Sequence, residues 1–222
     1  MTHRAPEGEP LLAEQRSYYR AIASEYEDHA IPGAWGGELL AALDAFRPAG
    51  SVLELACGPA TWTRQLLRHA DRILALDAAP EMLAIASARV GDERVRFLQA
   101  DIFSWRPEER YDVVFFGFWL SHVPLERFES FWSLVADCLN PDGRVFFADD
   151  AYRSPDELVY GHSSSIVCRR LNDGSAYRVV KVPYQVAELE QRLRRLGWDV
   201  TVTTTREPFY WGAGSHHQPR ST

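Results

Sequence analysis

The sequence predicts an α/β fold with a doubly wound, mostly parallel sheet, formed as one domain of 222 residues. Three observations indicate it. Short apolar runs alternate with helical stretches through the middle of the chain. The runs are apolar almost throughout, which is typical of strands that helices cover on both faces. Helix-start and turn residues, such as Pro80 and the stretch 140–143, fall between them.

The N-terminal part predicts two helices ahead of the sheet. Residues 1–9 are polar and are expected to form a flexible tail. Residues 11–29 place apolar side chains at spacings of three, four and seven, the pattern of an amphipathic helix. The Pro- and Gly-containing stretch 31–37 ends it, and residues 37–46 predict a second helix. Residues 10–47 are therefore expected to form a helical cap.

The core of the domain is predicted over residues 50–150, where strand-like runs and helical patterns alternate. The strand-like runs are 51–56, 72–77, 95–101, 112–119 and 143–149, and the helical patterns lie at 61–70, 80–90 and 125–139. Parallel neighbours need crossover connections, so this alternation indicates successive βα units.

The last third of the chain follows a different pattern. Two apolar runs flank the Asn-Asp-Gly stretch 172–174, which is typical of a β-hairpin turn. Residues 151–184 are therefore predicted to be an insert that contains a hairpin. Residues 186–197 predict the last helix, and the segment 185–213 closes with one or two strands. Residues 214–222 are expected to be a flexible tail.

Composition disfavours several classes of protein. A net charge of −7, a pI of about 5.5 and the absence of a basic run argue against nucleic-acid binding. No apolar run approaches the ~20 residues that span a bilayer, and the N-terminus lacks a signal-peptide pattern. Cys57, Cys138 and Cys168 fit neither a disulfide framework nor a zinc knuckle, so a cytoplasmic location is expected. His216 and His217 lack further ligands at metal-site spacing, so no metal is expected.

Acidic and small residues stand where three successive strands are predicted to end. Glu54 and Gly58 follow the first run, Asp77 the second and Asp101 the third. Ligands of an open parallel sheet bind beyond the carboxyl ends of its strands. A carboxylate there accepts hydrogen bonds from ribose hydroxyls or from an exocyclic amine. A single acid at a strand end, such as Asp77, is more often a helix N-cap, but together these residues predict an adenosine site.

The stretch from Val52 to Asp150 resembles the core of the class I S-adenosylmethionine-dependent methyltransferases. LELACGPATWT is similar to their first motif, LALDAAPEML to the second, QADIF to the third, YDVVFFGFWLSHVP to the fourth-strand motif and GRVFFADD to the fifth strand. The resemblance implies a seven-stranded Rossmann-like methyltransferase fold. It also implies S-adenosylmethionine (SAM) as methyl donor, S-adenosylhomocysteine (SAH) as product and a small-molecule acceptor. The first motif usually has three glycines; here Gly58 remains, with Ala56 and Ala60 in the other places.

The same resemblance assigns SAM binding to residues near the strand ends. Asp77 would hold the ribose and Asp101 the adenine amine, and aromatic residues of YYRAIASEYEDH would close over the cofactor. Aromatic faces attract a sulfonium cation, although core packing is the more common role of any one such side chain. The predicted cofactor-binding residues are Tyr19, Tyr26, Glu54, Ala56, Cys57, Gly58, Thr61, Asp77, Ala78, Met82, Asp101, Ile102 and Phe118.

His122 is the candidate general base, because it follows the fourth strand in the loop that the family places beside the methyl donor. A hydroxyl or protonated amine acceptor must lose a proton, and an imidazole removes it well near neutral pH. A carboxylate acceptor needs no base. A histidine bonded to backbone at a helix start is the alternative interpretation. Asp149 and Asp150 are further candidates, as bases or as acids that position the substrate.

The insert 151–184 resembles the acceptor lid of the family. If Arg169 and Arg170 face the pocket, they suit a carboxylate acceptor, although hairpin arginines commonly face water. The apolar and aromatic content of the insert suggests instead an uncharged or amphipathic acceptor. The predicted substrate-binding residues are Trp119, Asp149, Tyr160, His162 and Arg170.

Three functions are consistent with these patterns. The first is a methyltransferase, a monomer or homodimer, that acts on an oxygen or nitrogen of a small organic molecule. The second is a SAM-binding protein of the same fold that transfers no methyl group. The third is a nicotinamide-dependent oxidoreductase, which predicts a GxGxxG turn that the sequence lacks.

Overall fold

The computed structural model describes residues 8–29, 37–206 and 208–217. Most of the predicted tail at 1–9, the helix break at 31–37 and the tail at 214–222 lies outside them. The helices are α1 Gly8–Ala21, α2 Gly37–Phe46, α3 Thr63–Leu66, α4 Pro80–Arg89, α5 Phe128–Cys138 and α6 Val186–Arg195. The strands are β1 Gly50–Leu55, β2 Ala70–Asp77, β3 Val95–Gln99, β4 Tyr111–Gly117, β5 Leu139–Asp150, β6 Ile166–Arg170, β7 Ala176–Val180, β8 Trp198–Thr204 and β9 Phe209–His216.

Seven of these strands form one sheet in the order β3-β2-β1-β4-β5-β9-β8. The first five in chain order pair in parallel, and β9 runs antiparallel to both β5 and β8. The predicted seven-stranded, mostly parallel sheet is therefore confirmed. Strand order reverses between β1 and β4, so a crevice opens at their carboxyl ends.

Burial explains why the central strands are so apolar. From Val113 to Phe116 every residue of β4 is buried, as is every residue of β5 from Val145 to Asp150. Rings from both strands stack across the sheet, with 5.3 Å between the ring centroids of Phe116 and Phe147. A strand covered on both faces has no polar side, which is the pattern that predicted it.

The predicted elements differ from the observed ones mainly at their ends. The first helix stops at Ala21 and tightens into a 3₁₀ turn at Ile22–Glu25, where the sequence predicted helix to residue 29. The helix predicted at 61–70 shrinks to Thr63–Leu66, because β2 begins already at Ala70 and the chain must turn before it. The C-terminal segment forms two strands, β8 and β9.

The predicted hairpin is present as the separate two-stranded sheet β6-β7, and it packs against α1. The ring centroids of Tyr18 and Tyr177 lie 5.8 Å apart, and the backbone N–H of Val180 donates to the side chain of Gln15. Val167 and Val179 are fully buried in the same contact. Helix α1 and the hairpin therefore form one layer beside the carboxyl ends of β1 and β4. No helix of the described ranges is long and apolar enough to cross a membrane.

Candidate active site

A cavity of about 730 Å³ lies between α1 and the carboxyl ends of the central strands. It collects residues from four of the five predicted motifs: the turn after β1, the ends of β2 and β3, and the loop after β4. Its lining residues are Leu12, Gln15, Arg16, Tyr19, Tyr26, Ala56, Gly58, Asp77, Ala78, Ala79, Met82, Asp101, Ile102, Phe103, Gly117, Phe118 and Trp119. We call it the cofactor cavity.

Asp77 forms part of the wall of this cavity at the end of β2. Its Oδ2 accepts the backbone N–H of Gly58 and its Oδ1 that of Ala79, each at 2.8 Å. Burial raises the pKa of its carboxyl, and these backbone hydrogen bonds oppose the rise. Helix α4 begins only at Pro80, and its N-cap has no side-chain hydrogen bond, so Asp77 does not cap it. Each carboxylate oxygen keeps a second lone pair for a ligand.

Asp101 stands at the end of β3, on the adjacent wall. Its Oδ1 accepts the backbone N–H of Phe103, and its Oδ2 accepts a hydrogen bond from Arg16 of α1 at 3.0 Å. The apolar side chains of Ile102 and Phe103 extend this wall. A flat base can pack on such a surface while a carboxylate accepts from its amine.

The turn after β1 has a strained backbone. Ala56, Gly58 and Ala60 all take the left-handed conformation, with φ of 54°, 52° and 66°. This region favours glycine, because a Cβ crowds the backbone there. Phe118, after β4, is also left-handed at φ 55°. A bulky residue in this region is an outlier of the kind found at ligand sites.

Ten of the thirteen predicted cofactor-binding residues line the cavity, and three do not. Glu54 is buried, and its Oε2 accepts a hydrogen bond from Thr63 Oγ1 at 2.6 Å, which ties β1 to α3. Burial raises the pKa of Glu54 to about 8. Cys57 packs in the core, and Thr61 does not reach the cavity wall. A cofactor contact for these three side chains stays a prediction.

A second cavity, of about 890 Å³, adjoins the first. Three aromatic residues, Tyr19, Tyr26 and Phe118, line both and so form the junction between them. The remaining residues of this second cavity, which we call the acceptor cavity, are Tyr18, Ile22, His29, His122, Asp150, Tyr152, Ser154, Glu157, Arg169 and Arg170.

His122 lies in the acceptor cavity, 3% exposed. Its Nδ1 stands 2.6 Å from the carbonyl oxygen of Val180, and its Nε2 stands 3.0 Å from the hydroxyl of Tyr19. Burial lowers the pKa of His122 well below its usual value, and the charges of Lys181 and Arg169 lower it further. The imidazole is therefore neutral at physiological pH.

The candidate acids at the end of β5 belong to a buried polar network. Asp149 accepts hydrogen bonds from both the backbone N–H and the hydroxyl of Ser121, at 2.7 and 2.8 Å. Lys181 donates to Ser121 Oγ at 3.0 Å and to Asp150 Oδ2 at 2.8 Å. Asp150 lines the acceptor cavity but is ion-paired, and Asp149 is fully buried and lines neither cavity.

The other predicted substrate-binding residues lie in three different locations: the acceptor cavity, the cofactor cavity and the exposed surface of the insert. Arg170 lines the acceptor cavity, as does Arg169, whose Nε donates to Glu157 at 3.2 Å. Trp119 lines the cofactor cavity instead. Tyr160 and His162 are exposed on the insert and line neither cavity, since the chain turns outward at 155–163 before β6 begins.

Sequence reasoning missed Gln15, Arg16 and Lys181, all of which hold this region together. Gln15 and Arg16 sit four and three residues before Tyr19, so helical spacing puts them on the face that Tyr19 occupies. Lys181 is the only lysine among the 24 basic residues, and this rarity could have singled it out from the sequence alone. Among the described residues, no group of three His, Cys, Asp or Glu side chains is placed to hold a metal ion.

Known proteins share this architecture. A family profile described as "Methyltransferase domain" matches residues 52–143. Trans-aconitate 2-methyltransferase of Escherichia coli O139:H28 (strain E24377A / ETEC) is 37% identical over 94 residues. That match covers 41% of this chain and only 36% of the relative's length.

Two solved structures of DhpI match nearly the whole chain. The complex of DhpI with SAH is 40% identical, covers 93% of this chain and 97% of its own, and superposes with a TM-score of 0.80. The complex of DhpI with SAM and HEP is 38% identical with a TM-score of 0.82, and covers 96% of this chain and 98% of its own.

Proposed function

Because the chain belongs to the class I S-adenosylmethionine-dependent methyltransferases, whose cofactor is SAM, we propose that it methylates an oxygen or nitrogen of a small organic molecule bearing an acidic group. The observation that carries the proposal is the pair of adjoining cavities, which meet at Tyr19, Tyr26 and Phe118. Membership of this family removes the nicotinamide-dependent alternative.

The residues of the cofactor cavity fit SAM. Asp77 would hold the ribose hydroxyls with the lone pairs that Gly58 and Ala79 leave free. Asp101 and the apolar wall beside it would hold the adenine. A Cβ built on Gly58 meets nothing within 4 Å, so the turn leaves open space at the cavity wall.

SAM supplies an electrophilic methyl group: a lone pair of the acceptor bonds to the methyl carbon while the C–S pair returns to sulfur, which leaves SAH. The chain contributes alignment, which accounts for a large part of the rate of such reactions. The three aromatic residues at the junction line both cavities. Their π-faces also favour a sulfonium cation by ~0.5–2 kcal/mol.

The charges of the acceptor cavity favour an acidic acceptor. Asp150 is paired with Lys181 at 2.8 Å and Glu157 with Arg169 at 3.2 Å. Within the described parts of the chain, the side chain of Arg170 has no hydrogen-bond or ion-pair partner. Arg170 is therefore the cationic side chain of this cavity whose counter-ion an acidic acceptor would supply. Trans-aconitate, which the name of the curated relative gives as substrate, is a carboxylic acid.

The expectation of an uncharged or amphipathic acceptor came from the apolar content of the insert. In the structure Tyr152 of the insert lines the acceptor cavity together with Arg169 and Arg170. Val167 and Val179 are buried against α1, and Val159 and Tyr160 face solvent. The apolar and aromatic content of the insert is therefore divided among packing, solvent and cavity, and it does not by itself define the acceptor.

The test measures SAH formation with matched acceptors that carry or lack an acidic group. We expect turnover with the acidic members of each pair and little with the neutral ones. Arg170→Gln should raise the KM for an acidic acceptor by 10- to 100-fold, since a hydrogen bond to a charged group contributes roughly 1.5–3 kcal/mol. Arg195→Gln removes the same charge from an exposed position on α6 that lines neither cavity, and should leave KM unchanged.

The controls separate this proposal from its alternatives. SAM binding without SAH formation on any acceptor would favour a protein that binds SAM and transfers no methyl group. Turnover of neutral acceptors with an unchanged KM in Arg170→Gln would overturn the acidic acceptor while leaving methyl transfer intact.

A further inference from the structure

Tyr19 is the polar side chain that joins the two cavities to the candidate base. It lines both cavities, and its hydroxyl lies 3.0 Å from His122 Nε2. The two rings meet edge to face, with 5.6 Å between centroids. The imidazole nitrogen that would accept a proton from an acceptor is therefore already occupied by a phenol.

The other imidazole nitrogen determines which atom carries the proton. Nδ1 of His122 lies 2.6 Å from the carbonyl oxygen of Val180, and a carbonyl only accepts hydrogen bonds. Nδ1 must therefore carry the hydrogen. In the neutral ring Nε2 then has a lone pair, so the hydroxyl of Tyr19 donates to it.

Gln15 holds this arrangement in place from α1. Its Nε2 donates to the carbonyl oxygen of His122 at 3.2 Å, and its Oε1 accepts the backbone N–H of Val180 at 2.9 Å. One buried amide thus connects the loop after β4, the hairpin strand β7 and the helix that carries Tyr19. The imidazole cannot turn toward an acceptor without breaking its bond to Val180.

We propose that His122 is a positioning residue that acts through Tyr19 and takes no proton from the acceptor. It fixes the hydroxyl hydrogen of Tyr19, so that the lone pairs of the phenol oxygen stay available at the junction of the two cavities. Tyr19 is then the group that meets the reacting atoms. This inference rests on the proposed function, and it suits an acceptor whose reacting oxygen arrives already ionised.

The kinetic test uses His122→Gln, because a glutamine amide can accept the hydroxyl of Tyr19 but cannot serve as a general base. Single-turnover methyl transfer is measured with both substrates saturating. We expect a rate within tenfold of the wild type. Loss of a general base would cost at least ~100-fold, and that result would overturn the proposal.

A double-mutant cycle adds a second measurement. Tyr19→Phe should lower the rate roughly 3- to 10-fold, the effect of one neutral hydrogen bond. On that background His122→Gln should add less than a twofold change, because the hydroxyl that it orients is gone. A penalty of the same size in both backgrounds would mean that His122 acts independently of Tyr19.

Nuclear magnetic resonance tests the geometry without any turnover. The ¹⁵N shifts of the wild-type protein should show Nδ1 of His122 protonated and Nε2 unprotonated at neutral pH, with the Nε2 signal moving in Tyr19→Phe. His122→Gln identifies the signal among the seven histidines. An imidazolium, or a proton on Nε2, would overturn the inference. Failure of every acceptor in the turnover assay would instead count against the proposed function.

Discussion

The carboxylate of Asp77 accepts a hydrogen bond from the backbone N–H of Gly58, 19 residues earlier in the chain, at 2.8 Å. This bond joins the turn after β1 to the end of β2. The two strands pair in parallel, and Leu55 is opposite Leu76, so the residues that follow them meet at one edge. The strained turn and the carboxylate of Asp77 therefore form one unit.

Removing this carboxylate should weaken SAM binding. We expect Asp77→Ala to raise the SAM dissociation constant by 10- to 100-fold, because hydrogen bonds to a charged group contribute roughly 1.5–3 kcal/mol. Isothermal titration calorimetry measures it, and circular dichroism checks the fold. Asp92→Ala, which removes an acid outside both cavities, is the matched control. An affinity within threefold of the wild type in Asp77→Ala would contradict the ribose role.

The left-handed conformation of Ala56 predicts that glycine is better there. A Cβ in this region costs ~1–2 kcal/mol, and the extra freedom of glycine in the unfolded chain offsets part of the gain. Ala56→Gly should therefore raise the free energy of unfolding by about 0.5–1 kcal/mol. Urea denaturation measures the change. Ala78→Gly, which alters the same cavity at a residue without positive φ, should lower it; equal effects at the two positions would refute the strain argument.

Glu54 should make the folded state less stable as pH rises. Its pKa is about 8 in the folded protein against 4.5 for the free side chain, so between these values the native state binds a proton that the unfolded chain has released. The stabilisation that comes from protonated Glu54 is complete below pH 4.5. It falls as the pH rises toward 8, by up to about 1.4 kcal/mol per pH unit. Urea denaturation from pH 5 to 8.5 compares wild type with Glu54→Gln. The free energy of unfolding of Glu54→Gln should rise relative to that of the wild type as the pH increases. A difference between the two proteins that stays constant from pH 5 to 8.5 would disprove the raised pKa of Glu54.

Lys181 balances two buried acids, and its removal should be costly. Its Nζ lies 2.8 Å from Asp150 and 3.6 Å from Asp149. Lys181→Met leaves both carboxylates without a cation and should lower the free energy of unfolding by about 3–5 kcal/mol at pH 7.5. The loss should shrink at pH 5.5, because burial raises the pKa of Asp149 and removal of the cation favours its protonated form further.

The matched control for Lys181→Met is Arg178→Met, which breaks the exposed ion pair with Glu14. Exposed pairs contribute about 0–1 kcal/mol. Denaturation at both pH values measures the two variants side by side. A similarly small loss of unfolding free energy in both variants would show that the buried ion pair contributes no more to stability than the exposed one.

The cofactor site could be predicted from sequence because its parts are local. A strand that is apolar throughout ends in a turn, and the acids Asp77 and Asp101 follow their strands directly, so topology alone brings them together. The acceptor site was predicted less well. Tyr160 and His162 sit in the predicted lid, yet they face solvent, while Arg170 a few residues later lines the cavity. Composition of a lid does not say which of its residues turn inward.

The sequence by itself determined the alternation of strands and helices and the acids at the strand ends, because each depends on neighbours in the chain. The tertiary structure decided which atom of His122 carries a hydrogen, which acids are neutralised by Lys181 and how Gln15 joins α1 to the hairpin. Those outcomes depend on groups separated by up to 165 residues. Hydrogen bonds and ion pairs act over a few ångströms, so only the folded arrangement assigns their partners.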